Sequence, residues 1–387
     1  MIPITKPLLG DDEIKQVGRV IKSGWVTQGK EVEAFESEFK EYVNTKYAIA
    51  LSSCTAALHL ALKVVGVVDD DEVITVSHSY IATANSIRYC GAIPVFIDIE
   101  PNSFNINPEL IKPAISKKTK AILCVHQIGM PCDLSSIIAI GKEYNIPVIE
   151  DAACAVGSEI KLTNKWEKIG KPHGDLACFS FHPRKLITTG DGGMITTNNK
   201  NYDKKIRLWR QHAISIDSLD RHNSKELLFE DHLELGYNYR MTDIQAAVGR
   251  VQLKKLSQIL MKRREKAFNY NRLLNESNFS LPYEPIWAKS NWQSYCIGLP
   301  ENVQQSKIIK FLKNEGISTK RGVMNSHEQK AYKVEPWSTG HNTKDCSKLI
   351  NSEIAFNQSL LIPLFTQLSN NEQKLITELL ISKSNII

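Results

Sequence analysis

Lys185 stands in the string SFHPRKLITTGDGG (180–193), directly beyond the apolar run ACFSF and ahead of a glycine cluster. An amine set on a tight loop at the end of a strand can be stripped of water, and a desolvated amine of lowered pKa attacks aldehydes. Taken alone, such a lysine is more often a solvated loop residue, so its neighbours decide. Asp151 closes PVIEDAAC (147–154), again where an apolar strand should end. A carboxylate there either terminates the strand or pairs with the nitrogen of a bound aromatic ring, keeping it protonated so that the ring absorbs the electrons of a breaking C–H bond. Ser52, Ser53, Cys54 and Thr55 precede AALHLAL (56–62). They make either a plain helix cap or, with the amides and the positive end of that helix, an anion cup. Ser180 could add a hydroxyl to the same anion. An aldehyde, a basic ring nitrogen and a phosphate together describe pyridoxal 5'-phosphate (PLP).

Other residues are candidates for its surroundings. Tyr80, in HSYIATAN (78–85), could stack on the ring or be an ordinary surface tyrosine. Asn238 and Arg240 lie in GYNYRMTDIQAAVG (236–249), where an arginine suits phosphate or carboxylate recognition as well as a plain salt bridge. His182 and His327 are the histidines nearest to the site loops, each also readable as a hydrogen-bonded structural residue.

The elements that must hold these groups follow from hydrophobic patterning. Runs at 72–76, 93–97, 120–125, 146–150, 177–181 and 193–197 are short and rich in β-branched residues. Between and after them lie segments of helical spacing at 55–65, 82–90, 134–144 and 200–211. Such alternation predicts an α/β fold with a mostly parallel sheet covered on both faces, and ligands gather at the carboxyl ends of its strands. Residues 242–275 form a long amphipathic pattern opened by Thr242 or Asp243, with Lys and Arg along its solvent side, and are read as the bridge to a second domain. Beyond it the pattern gives a strand near 293–299, a helix near 303–314, an extended 317–323, a loop-rich 324–345 able to cap a site, and a last helix near 370–382.

A chain of 387 residues, 42% hydrophobic and 23% charged, suits two domains or one large one with an appendage. The first residues show no basic stretch followed by an apolar run, and no run of about 18 apolar residues occurs, so the expectation is a cytoplasmic protein without a secretory signal or membrane partner. The eight cysteines form no CxxC pair and sit mostly in apolar strings, as buried thiols rather than zinc ligands or disulfides. The net charge of +6 is spread along the chain, which favours a phosphate-bearing substrate mildly and argues against a nucleic-acid surface.

In order, SGWVTQGKEVEAFE, SSCTAALHLAL, HSYIATANSIRYCGAIPVFIDIEP, VHQIGMPCDL, IEDAACAVGS, FSFHPRKLITTGDGGM, LGYNYRMTDIQAAVG and KRGVMNSHEQKAY resemble the DegT/DnrJ/EryC1/StrS family of sugar aminotransferases over nearly the whole chain. The resemblance implies the aspartate-aminotransferase-like fold (PLP fold type I). It places a large PLP-binding domain, N-terminal segment included, at 1–250 and a smaller α+β C-terminal domain at 251–387. It implies that Lys185 is the Schiff-base lysine, that Asp151 partners the pyridine nitrogen, and that Ser180 with Cys54 and Thr55 cradles the phosphate. Asn238 matches an asparagine that reaches the phosphate from the neighbouring subunit, which implies a homodimer with shared active sites. Trp25, Thr27 and the region of His327 match segments that touch sugar or nucleotide.

The implied reaction moves an amino group from L-glutamate to a nucleotide-linked keto-sugar by a ping-pong route, with C4 of a 4-keto-6-deoxyhexose preferred over C3. Two departures stand out: Cys154 occupies the place of a glutamine that hydrogen-bonds the cofactor's phenolic oxygen, and Asp191 replaces a glutamate in the glycine cluster. A sugar dehydratase or deoxygenase on the same fold would carry histidine in place of Lys185. A non-catalytic binding protein would lack Lys185 or Asp151.

Overall fold

The computed structural model describes residues 1–162, 164–216, 229–340 and 348–384; the end of the 324–345 loop, and Cys346, lie outside the described residues. Two helices, α1 (Asp11–Ser23) and α2 (Lys30–Val43), open the chain. Alternation then sets in with β1 (Tyr47–Leu51), α3 (Cys54–Val64), β2 (Glu72–Val76), α4 (Ala82–Tyr89), β3 (Ile93–Ile97), α5 (Ile111–Ala114), β4 (Thr119–Val125), α6 (Leu134–Tyr144) and β5 (Val148–Asp151). The short β6 (Glu159–Ile160) and β7 (Glu167–Lys168) lead to β8 (Leu176–Ser180), β9 (Gly193–Thr197), α7 (Lys200–Trp209) and α8 (Asp243–Leu274). The remainder holds β10 (Ala288–Lys289), β11 (Tyr295–Gly298), α9 (Gln305–Asn314), β12 (Lys320–Arg321), β13 (Ser338–Thr339), α10 (Ile350–Gln358), β14 (Ser359–Ile362) and α11 (Asn370–Ser384).

Eight strands make one sheet in the order β1-β9-β8-β5-β4-β2-β3-β13. Only β9 runs against its neighbours; the other pairs are parallel. Alternating side chains feed two cores. Ala177 and Phe179 of β8 join Phe35, Phe39 and Phe181 on one face, while Leu176 and Cys178 join α3 on the other. Burial on both faces is why these strands read as continuous apolar runs.

The borders differ from the sequence reading where backbone chemistry intervenes. β5 starts at Val148, since Pro147 has no amide to give a ladder, and it extends to include Asp151. The extended 317–323 shrinks to the two residues of β12. Part of the 324–345 stretch joins the large sheet: Ser338 and Thr339 pair in parallel with β3. The sequence reading made no element of α1, α2 or β14.

Helix α8 begins with a capping box, Thr242 and Gln245 satisfying each other's amides. Asp243 does something else. Its carboxylate accepts the amides of Gly29 (2.8 Å), Val32 (3.1 Å) and Glu31 (3.2 Å), and so caps α2 from across the fold. Nor are all basic residues of α8 solvated. Arg263 is buried, donates to the carbonyls of Trp292 and Gln293, and is pushed down to about 10 by burial. The last turns of α8 supply Ala267, Tyr270 and Leu274 to a further core around the antiparallel sheet β11-β14-β12 and α11. Six of the seven described cysteines are buried and Cys154 is half-buried. Among the described residues no helix is long and apolar enough to cross a membrane, and no cluster of side chains could hold a metal ion.

Candidate active site

The parallel strands β5 and β8 end side by side, with Asp151 in register with Cys178. Asp151 is only 4% exposed. Its Oδ2 accepts the Thr83 hydroxyl at 2.8 Å and its Oδ1 the Ala153 amide at 3.1 Å. Burial raises the pKa of this carboxyl; Thr83, Ala153, Lys185 and His126 pull it down without cancelling the rise.

Beyond β8 the chain makes a closed excursion. The Phe181 amide bonds the Gly192 carbonyl, and the Phe181 carbonyl takes the Thr189 amide (3.0 Å) and the Thr188 hydroxyl (2.8 Å). Inside the excursion the Lys185 amide bonds the His182 carbonyl at 2.8 Å. The Lys185 Nζ then lies 3.0 Å from Cys154 Sγ. Burial works against the lysine's charge, but Cys154, Cys54 and Asp151 outweigh it and raise its pKa. The sequence suggested a lowered value. The surrounding electronegative groups reverse the expected sign.

The same loop is pressed onto the start of α3. A Cβ on Gly193 would stand 2.5 Å from the Ser53 main chain, so only glycine allows this approach. Ser53 caps α3 by accepting the Ala56 amide at 3.1 Å, which leaves the Cys54 and Thr55 amides as orphan donors of the first turn. Ser180 is buried at the end of β8, its Oγ 3.4 Å from the His182 amide. An amine, a buried carboxylate and an amide-lined helix start thus come together, matching an aldehyde, a basic ring nitrogen and a phosphate. PLP fits this donor set.

The remaining candidates differ in exposure and in their partners. Tyr80 is 70% exposed in the turn between β2 and α4. Asn238 is exposed and its side chain has no hydrogen-bond partner among the described residues, although the next residue's carbonyl takes the Ser52 amide at 2.8 Å. Arg240 is half-buried. Trp25 donates its indole N–H to the Gln28 carbonyl (3.1 Å), and the exposed Thr27 gives its carbonyl to the Asp243 amide (3.0 Å). His182 is exposed, accepts the Arg184 amide on Nδ1, and is held below its usual pKa by partial burial, with Lys185 and Arg184 adding to it. His327 is tethered to the end of β2. Ser77 Oγ takes the His327 amide and stands 2.6 Å from its Nδ1, and burial lowers the imidazole's pKa. The Asp191 carboxylate has no hydrogen-bond partner among the described residues; its carbonyl takes the Gln245 side chain.

Sequence reasoning missed three members of this neighbourhood. Thr83 lay within a quoted motif without being singled out. Asn291 donates to the carbonyls of Cys154 (2.7 Å) and Val156 (2.8 Å), and nothing in its sequence surroundings signals it. His126, fully buried, has Nε2 3.1 Å from Glu150 while its Nδ1 accepts the Cys132 amide, so the ring donates to Glu150.

The family model described as the DegT/DnrJ/EryC1/StrS aminotransferase family matches residues 7–380. An uncharacterized protein of Methanocaldococcus jannaschii is 38% identical over 376 residues, covering 96% of this chain and 94% of its own. Among solved structures, the Streptococcus pneumoniae protein Spr1654 in its PMP form has a TM-score of 0.89 and 27% identity, over 100% of this chain and 99% of its own. The same protein has also been solved in a PLP form. Helicobacter pylori PseC, an aminotransferase involved in the biosynthesis of pseudoaminic acid, has a TM-score of 0.87 and 26% identity, over 99% and 98% of the two chains. The aminotransferase TlmJ from Streptoalloteichus hindustanus gives 0.87 and 27% with the same coverage.

Proposed function

The chain belongs to the DegT/DnrJ/EryC1/StrS aminotransferase family and is a PLP-dependent transaminase; from that premise we propose that it moves an amino group from L-glutamate to a nucleotide-linked keto-sugar, at C4 of a nucleoside-diphosphate 4-keto-6-deoxyhexose. The observation that carries the reading is the convergence of Lys185 and the buried Asp151 beyond adjacent ends of β5 and β8.

PLP, when bound, supplies an electron sink for the carbanion left by a broken C–H bond. Asp151 would hold the ring nitrogen in its protonated form. Lys185 would hold the cofactor through its amine, and the same amine would take the proton from the donor's α-carbon. Ser53, Cys54, Thr55 and Ser180 would hold the phosphate, joined by Asn238 of a second copy in a homodimer with shared sites. The exposed and unpartnered Asn238 side chain supports that last assignment. Tyr80 would stack on the ring, and Cys154, 3.0 Å from the Lys185 Nζ, stands where the resemblance places a glutamine. Trp25, Thr27, His182, Arg240 and His327 would face the sugar nucleotide. A division into domains at 1–250 and 251–387 belongs to this reading; the separate core that starts at Ala267 supports a second unit, while Leu253, Leu256, Ile259 and Leu260 pack into the large core and carry the border further along α8. A role in surface polysaccharide biosynthesis rests on the resemblance, and a cytoplasmic location on the sequence pattern.

The test is a panel of nucleotide-linked keto-sugars incubated with PLP-loaded protein and L-glutamate, read by mass for replacement of oxo by amino and by NMR for its position. Amination at C4 is expected. Amination at C3, or of free sugars only, would overturn the finer assignment while leaving a transaminase.

A further inference from the structure

Asp151 is held by very few groups for a carboxylate removed from water. Two donors reach it, the Ala153 amide and the Thr83 hydroxyl, although an ionised carboxylate can accept about four hydrogen bonds. Thr83 is itself buried at 1% exposure, and its Oγ1 lies 2.7 Å from the Oγ of Ser79, which is 2% exposed. A hydroxyl has one proton. Because the carboxylate is the stronger acceptor, Thr83 gives its proton to Asp151 and must receive one from Ser79. The chain Ser79→Thr83→Asp151 therefore has a fixed direction. Its middle member is also fixed in place, since Thr83 is β-branched, its amide bonds the Tyr80 carbonyl at 3.1 Å, and its carbonyl takes the Ser86 hydroxyl at 2.8 Å.

We infer that Thr83 is a positioning residue for transamination: its hydroxyl, oriented by Ser79, keeps the buried Asp151 ionised and aimed at the cofactor's ring nitrogen. The inference rests on the reading of Asp151 as that nitrogen's partner. Burial already raises the Asp151 pKa, and the Thr83 hydrogen bond is the foremost influence opposing the rise. Without it a larger share of Asp151 is protonated at neutral pH, and a neutral acid cannot hold a pyridinium. The ring nitrogen then loses its proton at lower pH and takes up electrons less well.

The experiment loads wild type, Thr83→Val, Thr83→Ser, Ser79→Ala and Asp151→Asn with ring-15N PLP and follows the nitrogen's chemical shift against pH, with turnover measured in parallel. Thr83→Val keeps the side-chain shape and removes the donor. It should shift loss of the ring proton downward by about one pH unit and slow turnover about tenfold. Thr83→Ser should restore both, and Ser79→Ala should move both part of the way. If Thr83→Val titrates like wild type while Asp151→Asn loses the ring proton, the Thr83 role is overturned and the Asp151 reading stands. If Asp151→Asn also titrates like wild type, both fall. Should Thr83→Val fail to hold PLP, Ser79→Ala carries the test alone, and a wild-type titration there overturns the relay.

Discussion

Asp151 and Lys185 lie within a single chain, each in contact with named partners: the Thr83 hydroxyl and the Ala153 amide for one, the Cys154 thiol for the other. By contrast, Tyr80 is 70% exposed, Thr27 and His182 are exposed, and the Asn238 side chain lacks a hydrogen-bond partner among the described residues. The floor is fixed by where strands stop, which sequence patterning controls. The exposed candidates follow no such local stop, and one chain's patterning does not encode what would meet them. Preorganised, desolvated groups are where electrostatics count most, so the proposed chemistry rests on the floor and the proposed recognition on the exposed residues.

The sharpest way to break that division is Lys185→Ala. The variant should still take up PLP without a borohydride-trappable bond and lose turnover by at least about a thousandfold. Retained wild-type turnover would remove Lys185 from the chemistry and leave the floor without its nucleophile.

Asn238 sharpens the comparison from the other side. Asn238→Ala should weaken PLP binding about ten- to a hundredfold, the range for a hydrogen bond to a charged group, measured by equilibrium titration. The decisive step is mixing. In a heterodimer of Lys185→Ala and Asn238→Ala chains, an Asn238 that reaches across leaves one site with both residues intact, so mixing restores activity. If Asn238 serves its own chain, every site is damaged and the mixture stays as poor as its parents.

How much of this was legible beforehand follows the same line. The strands ending at Asp151 and Ser180, the capped start of α3 and the long α8 were readable because each is a local pattern with a local stop signal. Asp151 draws notice because a carboxylate at such a stop is costly unless used, and Lys185 because an amine on a tight loop beyond a strand can be stripped of water. Asp243 could not be read, since its three partner amides lie more than 200 residues away in sequence. Asn291 follows α8 in sequence and holds the Cys154 carbonyl from 137 residues away, a contact that exists only after the fold closes. The docking of Ser338 and Thr339 on β3 is of the same kind, a two-residue strand too short to carry a pattern.

The electrostatic state of the floor gives the smallest and most diagnostic effect. Because Cys154, Cys54 and Asp151 raise the Lys185 pKa despite burial, the amine is an ammonium at neutral pH in the absence of cofactor and must shed a proton before it can attack an aldehyde. Covalent capture of PLP by the apoprotein should therefore quicken with pH, by about tenfold per unit below the lysine's pKa, followed by stopped-flow absorbance. Cys154→Ala removes the nearest of the groups that raise that pKa. The lysine's pKa then falls, more of it is neutral at any given pH, and the profile should move to lower pH with capture at neutral pH a few-fold faster. A profile that is flat with pH, or that Cys154→Ala moves upward, would mean that desolvation governs Lys185 after all, and that the floor is tuned by burial rather than by its partners.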